Sequence, residues 1–435
     1  MGPPDQGRRP EAELIRSPST KLTADANNDA IAPMPHAAVN ARQLSGPALA
    51  DALTESRART WALVGDLSPA QWLPPHQAGV NPVAWELGHL AWFAEFWIQR
   101  GPHSRSSDGF AEAGRAPRFA GPDALFDSAR LSHAARWTEP MPARAGLETM
   151  LDAQLQACVE SVSAVGALTG SDADQAHYFH RLALFHEDMH GEAFCWMRNA
   201  LGYSAPADTA MPRVIANSAL SIQGGRFMAG HAKDANGFAF DNEALAVEVQ
   251  MEGFSIDSAP VSALEFARFV DAGGYRQARF WPGAAGIWLA QSGLAQPRHW
   301  GRAALGDWQM RWFDQWLALP PDAPAMHLNA FEAEAYCLWA GRRLPTAMEW
   351  EYAARSAPAF NWGHSVWEWT SDMFTPYPGF KPGPYREYSQ PWFGDHRELR
   401  GGAFATHGRI HHPCYRNFFQ AHRSDIFAGF RTAAF

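Results

Sequence analysis

The sequence lacks the marks of a membrane, secreted or nucleic-acid-binding protein. No window approaches the roughly 18 uninterrupted apolar residues that a membrane-spanning helix needs, so no membrane partner is expected. The opening stretch MGPPDQGRRPEAELIRS has no apolar h-region, so no secretory leader is expected either. There are four cysteines, Cys158, Cys195, Cys337 and Cys414, too scattered for a disulfide framework or a CxxC metal cage. A reducing cytoplasm is the expected compartment. Long basic runs are missing, and 36 Lys+Arg against 45 Asp+Glu give a net charge of −9, which argues against nucleic acid as a partner. Tryptophan and histidine, by contrast, are abundant at 19 and 18 residues, and their placement carries the functional reading.

At roughly 100–200 residues per domain, the chain predicts two or three domains. Residues 1–43, rich in Pro, Ala, Asn, Asp and Arg without periodicity, read as a disordered tail. Residues 44–205 read as a four-helix bundle. Leu49, Leu53, Trp61, Leu63, Val64 and Leu67 recur at helical spacing after Gly46. Ser68-Pro69 and Asn81-Pro82 are N-cap-plus-proline starts; the helix from Asn81 runs to about Arg100. A third helix is expected over 144–168. A fourth starts at Ser171, with Asp174 resembling a capping box, and ends at Gly202. Residues 206–435 alternate short apolar runs with Gly, Asn, Asp and Pro, the texture of short strands and long loops. The expected fold class is α+β.

In the bundle, FHEDMHGEAF sets His186 and His190 four residues apart, one turn apart on one helix face, as two ligands of a single ion require. His89 lies in WELGHLAWF among Trp85, Trp92, Phe93 and Phe96, where an unpartnered imidazole would be costly. The bland alternative is a satisfied core histidine. HEDMH also fits the HExxH pattern of zinc proteases, with Glu187 as base, although no third downstream ligand is visible.

The second half resembles the formylglycine-generating-enzyme-like fold, a C-type-lectin-related domain. The resemblance rests on GGRFMAG (224–230), FDNE (240–243), PVSALEFARFVDAGGY (260–275), FEAEAYCLWAGRRLPTAMEWEYAAR (331–355), VWEWT (366–370), LRGGAF (399–404) and GFRTA (429–433). Within it Trp350, Trp367, Trp369 and Arg343 read as structural. The reactive cysteine pair of a true formylglycine-generating enzyme is missing, because Cys414 stands alone near the C-terminus and Cys337 falls in an expected helix.

WELGHLAWF, then HEDMHGE, then this domain together resemble the ergothioneine and ovothiol sulfoxide synthases and their relative selenoneine synthase. Those enzymes join a DinB-like four-helix bundle to a formylglycine-generating-enzyme-like domain. The resemblance implies a mononuclear non-haem Fe(II) held by His89, His186 and His190, with Glu192 of the HxxxHxE motif in a supporting role. Three imidazoles leave three positions open for O2 and two substrates. The implied reaction joins sulfur or selenium to the imidazole carbon of hercynine, an oxidation for which iron and O2 supply the acceptor. In PYPGFKPGPYREYSQPWF, Tyr385 matches the tyrosine that donates a proton or hydrogen bond in the oxygen chemistry, with Tyr377 and Tyr388 as neighbouring competitors. YRNFF implies Asn417 as a hercynine contact, with Phe418, Trp392 and Phe393 as aromatic faces for its trimethylammonium group.

Three positions depart from the γ-glutamylcysteine-using members. Phe419 stands where those enzymes carry an aspartate for the donor's amine. Their arginine pair is replaced by DSARLSHAARW, whose Arg130 and Arg136 are spaced differently. Met189 precedes the second histidine of the motif, where some members have glutamine. Missing charge partners disfavour a peptide-like donor and point to a selenosugar, hence to selenoneine formation. The alternatives are an ergothioneine-type enzyme using cysteine or γ-glutamylcysteine, a DinB-type zinc hydrolase or thiol transferase, and a non-catalytic binding module.

Overall fold

The computed structural model describes residues 41–435 except 166, 167, 169, 215, 233–235 and 245. Most of the expected tail, residues 1–40, lies outside them. Its last three residues correct the reading. Ala41 and Arg42 are buried, and the Arg42 guanidinium makes two bonds to Glu243, at 2.7 and 2.9 Å. A charge this deep is tolerated because its carboxylate partner is buried with it.

Four long helices follow: α1 (Gly46–Val64), α2 (Val83–Gln99), α3 (Arg144–Val165) and α4 (Gly170–Leu201). Helices α1 and α2 each pack against both α3 and α4. Helix α2 is apolar on nearly all sides, and it is buried from Val83 to Trp97 except at Ala84, as a central helix must be. Ser68 does start a short helix, Pro69–Trp72, through a capping box with Gln71. Two expected caps are different. Pro82 rather than Asn81 is the N-cap of α2, because the Asn81 amide is engaged by Glu86 and Arg136. Ser171 lies inside α4, and the Asp174 carboxylate binds Arg181 and the Gly237 N–H instead of closing a box. Gly202, at φ 69°, ends α4 as expected.

The crossover between α2 and α3 is long and largely irregular. It holds a small hairpin (His103–Arg105 with Ala111–Ala113), a one-turn helix Asp123–Phe126 and a 3-10 turn Ala134–Trp137. It packs closely on α2: a Cβ built on Gly88 would lie 2.1 Å from Phe126 Cε1.

Beyond residue 206 three helices, α5 (Ala263–Asp271), α6 (Ala330–Ala340) and α7 (Ala347–Ser356), each begin with a capping box, Ser262/Glu265, Asn329/Glu332 and Thr346/Glu349. The largest sheet contains β1 (Trp367–Met373), β2 (Arg397–Gly401), β3 (Asn417–Phe419) and β4 (Ala428–Gly429) in the order β3-β2-β1-β4. Only the β1–β4 pair in it is parallel, and Asn417 sits opposite Leu399 on the β3 edge. Trp350, Trp367 and Trp369 are buried, and Arg343 forks onto Glu349, which agrees with their structural reading.

Candidate functional site

The three histidines meet. Helix α2 supplies His89 and helix α4 supplies His186 and His190, and one nitrogen of each lies within 4.8 Å of the other two. An ion at about 2.1 Å from each nitrogen would space them by roughly 3 Å, so a small inward rotation suffices. His89 Nδ1 donates to the Phe126 carbonyl at 2.7 Å, and His190 Nδ1 donates to Glu86 Oε2 at 2.9 Å. Since a carbonyl and a carboxylate only accept, Nδ1 carries a proton in both rings, and Nε2 is the nitrogen left without a partner there. Burial and mutual repulsion push His89 and His186 well below the ordinary imidazole range, so both stay neutral. Aromatic faces fix the rings. Trp85 stacks on His89 at 4.9 Å, and Phe93 lies flat against His186 at 3.6 Å.

Each carboxylate of HEDMHGE has partners of its own, although Glu192 also lines the cavity beside His186 and His190. Glu187 turns toward α1, where Arg57 grips both oxygens at 2.7 and 3.1 Å and Thr60 donates at 2.9 Å. It is therefore not a base beside the histidines, which removes the zinc-protease reading. Asp188 binds Ser56 and Arg409, and Glu192 accepts from Trp367 Nε1 and Thr406 Oγ1. Asp188 and Glu192 thus tie the ligand helix to the C-terminal half.

A cavity of about 840 Å³ opens on this cluster and is lined by His186, His190, Tyr385, Asn417, Phe418 and Phe419 together. The Tyr385 ring meets Phe93 edge-on at 5.0 Å. Burial, with Glu387 and Asp127 adding negative charge, raises its phenol above the usual range, so it remains a proton-bearing donor at neutral pH. Tyr377 does not reach the cavity; its hydroxyl accepts from Arg400 under the Arg416 guanidinium. Tyr388 does line it, bonded to the Tyr415 hydroxyl at 3.0 Å, and Met189 Sδ accepts from Tyr415 at 3.2 Å. Asn417 Oδ1 accepts from the Phe418 N–H, which leaves its Nδ2 donors for a ligand. Trp392 joins the wall, but Phe393 packs against Phe374 and Phe380 and is not part of it.

Arg130 and Arg136 are absent from the wall: Arg130 binds Asp127, and Arg136 binds Asn81 and covers Trp85. Two other guanidinium groups, Arg386 and Arg423, line it unanticipated. Arg423 is gripped by both oxygens of Asp425 at 2.6 Å, while Arg386 keeps 40% of its side chain exposed. Neither carries a spacing signal, because loop residues reach a cavity without periodicity. Glu86 was also missed, although a carboxylate inside the apolar run WELGHLAWF was a readable anomaly. Among the described residues no helix is long and apolar enough to cross a membrane.

A helical bundle presenting three imidazoles, followed by a formylglycine-generating-enzyme-like domain, defines a two-domain class of metal-dependent enzyme. Residues 52–193 match the DinB superfamily, and residues 206–365 and 359–434 match the sulfatase-modifying factor enzyme 1-like domain. The chain is 31% identical to a hercynine oxygenase of Mycolicibacterium thermoresistibile, over 92% of this chain and 95% of that protein. A hercynine oxygenase of Mycobacterium tuberculosis is also 31% identical, over 88% and 98%. The formylglycine-generating enzyme of Streptomyces coelicolor is 27% identical over 46% of this chain and 83% of its own length. The chain belongs to the hercynine oxygenase family, the ergothioneine-type sulfoxide synthases. It is an oxidoreductase, which sets aside the hydrolase and the non-catalytic alternatives.

Proposed function

We propose that this enzyme uses Fe(II) and O2 to join a selenium or sulfur donor to the imidazole carbon of hercynine. The supporting observation is the cavity, which has imidazole nitrogens on one wall and the Tyr385 phenol and Asn417 amide on the others. Three imidazoles suit a divalent metal with open positions, and iron bound there would supply the electron acceptance that the bond formation needs. Tyr385 holds a proton to give, Asn417 offers Nδ2 to hercynine, and the Phe418 and Trp392 faces suit its trimethylammonium group. Four unpaired, buried thiols fit a reducing cytoplasm.

For the donor, apolar Phe419 and an Arg423 already neutralised by Asp425 favour a ring bound by stacking and neutral hydrogen bonds, a selenosugar or thiosugar. A second reading, γ-glutamylcysteine or cysteine, is favoured by Arg386 in the wall, whose half-exposed guanidinium can face a donor's carboxylate. Anaerobic Fe(II) reconstitution, then O2 with hercynine and a donor panel read by mass spectrometry, tests both. A selenoneine-type product from the sugar donor is expected. Preference for γ-glutamylcysteine would overturn the donor assignment, and no O2 uptake with any donor would overturn the reaction.

A further inference from the structure

We infer that Glu86 is the positioning residue that makes His190 the strongest donor of the three imidazoles, and that Arg136 holds it in place through Asn81. This rests on reading the three histidines as a metal site.

The three rings have unequal partners. His190 faces a carboxylate, His89 a neutral carbonyl, and His186 the face of a phenyl ring. A hydrogen bond to a carboxylate raises the electron density on the far nitrogen of the ring and fixes its tautomer. Glu86 is only 1% exposed in an apolar helix, so both its oxygens need partners. Oε2 accepts from His190, and Oε1 accepts from Asn81 Nδ2 at 2.8 Å.

Asn81 is held in turn, its Oδ1 accepting from Arg136 Nη1 at 2.7 Å. The Arg136 guanidinium also lies 3.8 Å over Trp85, the indole stacked on His89. One residue of the crossover therefore braces two metal-facing rings, one by a hydrogen-bond chain and one by stacking. An amide chain ending in a cation orients the carboxylate while leaving its charge on the His190 side.

The test compares wild type with Glu86→Gln and Asn81→Leu by anaerobic competition of Fe(II) and of Co(II) against a chelator. The potential of the bound iron is then measured by mediated titration. Glu86→Gln is expected to weaken metal binding by about 10–100-fold and to raise the potential, because the oxidised ion loses more from a weaker donor. Asn81→Leu, which keeps the carboxylate but frees it to turn, should weaken binding roughly fivefold. Unchanged affinity and potential in Glu86→Gln would overturn the inference. If Glu86→Gln does not fold, unchanged values in Asn81→Leu overturn it instead. Wild type that binds neither ion would overturn the metal-site reading itself, an outcome distinct from wild type and variants binding alike.

Discussion

The cavity has two kinds of wall. On the bundle side, helices α2 and α4 carry the histidines, and the carboxylates around them, Glu86, Glu187, Asp188 and Glu192, are all partnered. On the C-terminal side Tyr385 precedes a 3-10 turn, Asn417 lies on an edge strand, and Trp392 is 40% exposed. The first wall is braced like a core and the second is a loop surface. The contrast teaches that side chains which must meet at one point ride on packed helices, while the facing wall rides on loops, where sequence can vary with less cost to packing.

Breaking the bundle wall should have the largest effect. His186→Ala, His89→Ala or His190→Ala should abolish tight Fe(II) binding and turnover with the fold retained, as read by metal analysis and circular dichroism. Glu187→Ala should instead damage stability, by about 3–5 kcal/mol in denaturant unfolding, because it strands the buried Arg57 charge. On the loop wall the losses should be kinetic. Tyr385→Phe should keep metal and substrate binding but slow product formation, roughly 100-fold or more, with O2 uptake partly diverted to oxidation of the donor alone. Product ratio and rate unchanged by that substitution would remove Tyr385 from the chemistry. The smallest effect is reserved for Phe419→Asp, which should improve γ-glutamylcysteine relative to a sugar donor by about tenfold in kcat/KM, the size of about 1.4 kcal/mol.

How much of this was legible in the sequence follows the same divide. Helices α1 to α4 start and stop within a few residues of the expected bounds, because periodic burial is a local signal. The i, i+4 pair and the one imidazole in an apolar helix marked the three histidines, but only the family resemblance joined them into one set, which the structure brings together. Glu192, expected in a supporting role, is held by Trp367 and Thr406 and also lines the cavity. The crossover between α2 and α3 was not foreseen, since its work is done by Phe126, Ser128 and Arg136 touching residues far away in sequence. The Asn81 and Asp174 caps failed for a related reason, as tertiary partners outcompeted the local hydrogen bond. Arg386 and Arg423 reach the cavity through loop geometry alone.

The close approach at Gly88 carries a lesson for engineering. The carbonyl that selects the free nitrogen of His89 lies 37 residues downstream, and it arrives only because Phe126 can settle where a side chain on Gly88 would otherwise stand. Grafting the three histidines onto another four-helix scaffold would copy the ligands but not the choice of tautomer. Such a graft would leave His89 free to present either nitrogen, and a faithful transplant has to carry the crossover and its glycine as one part.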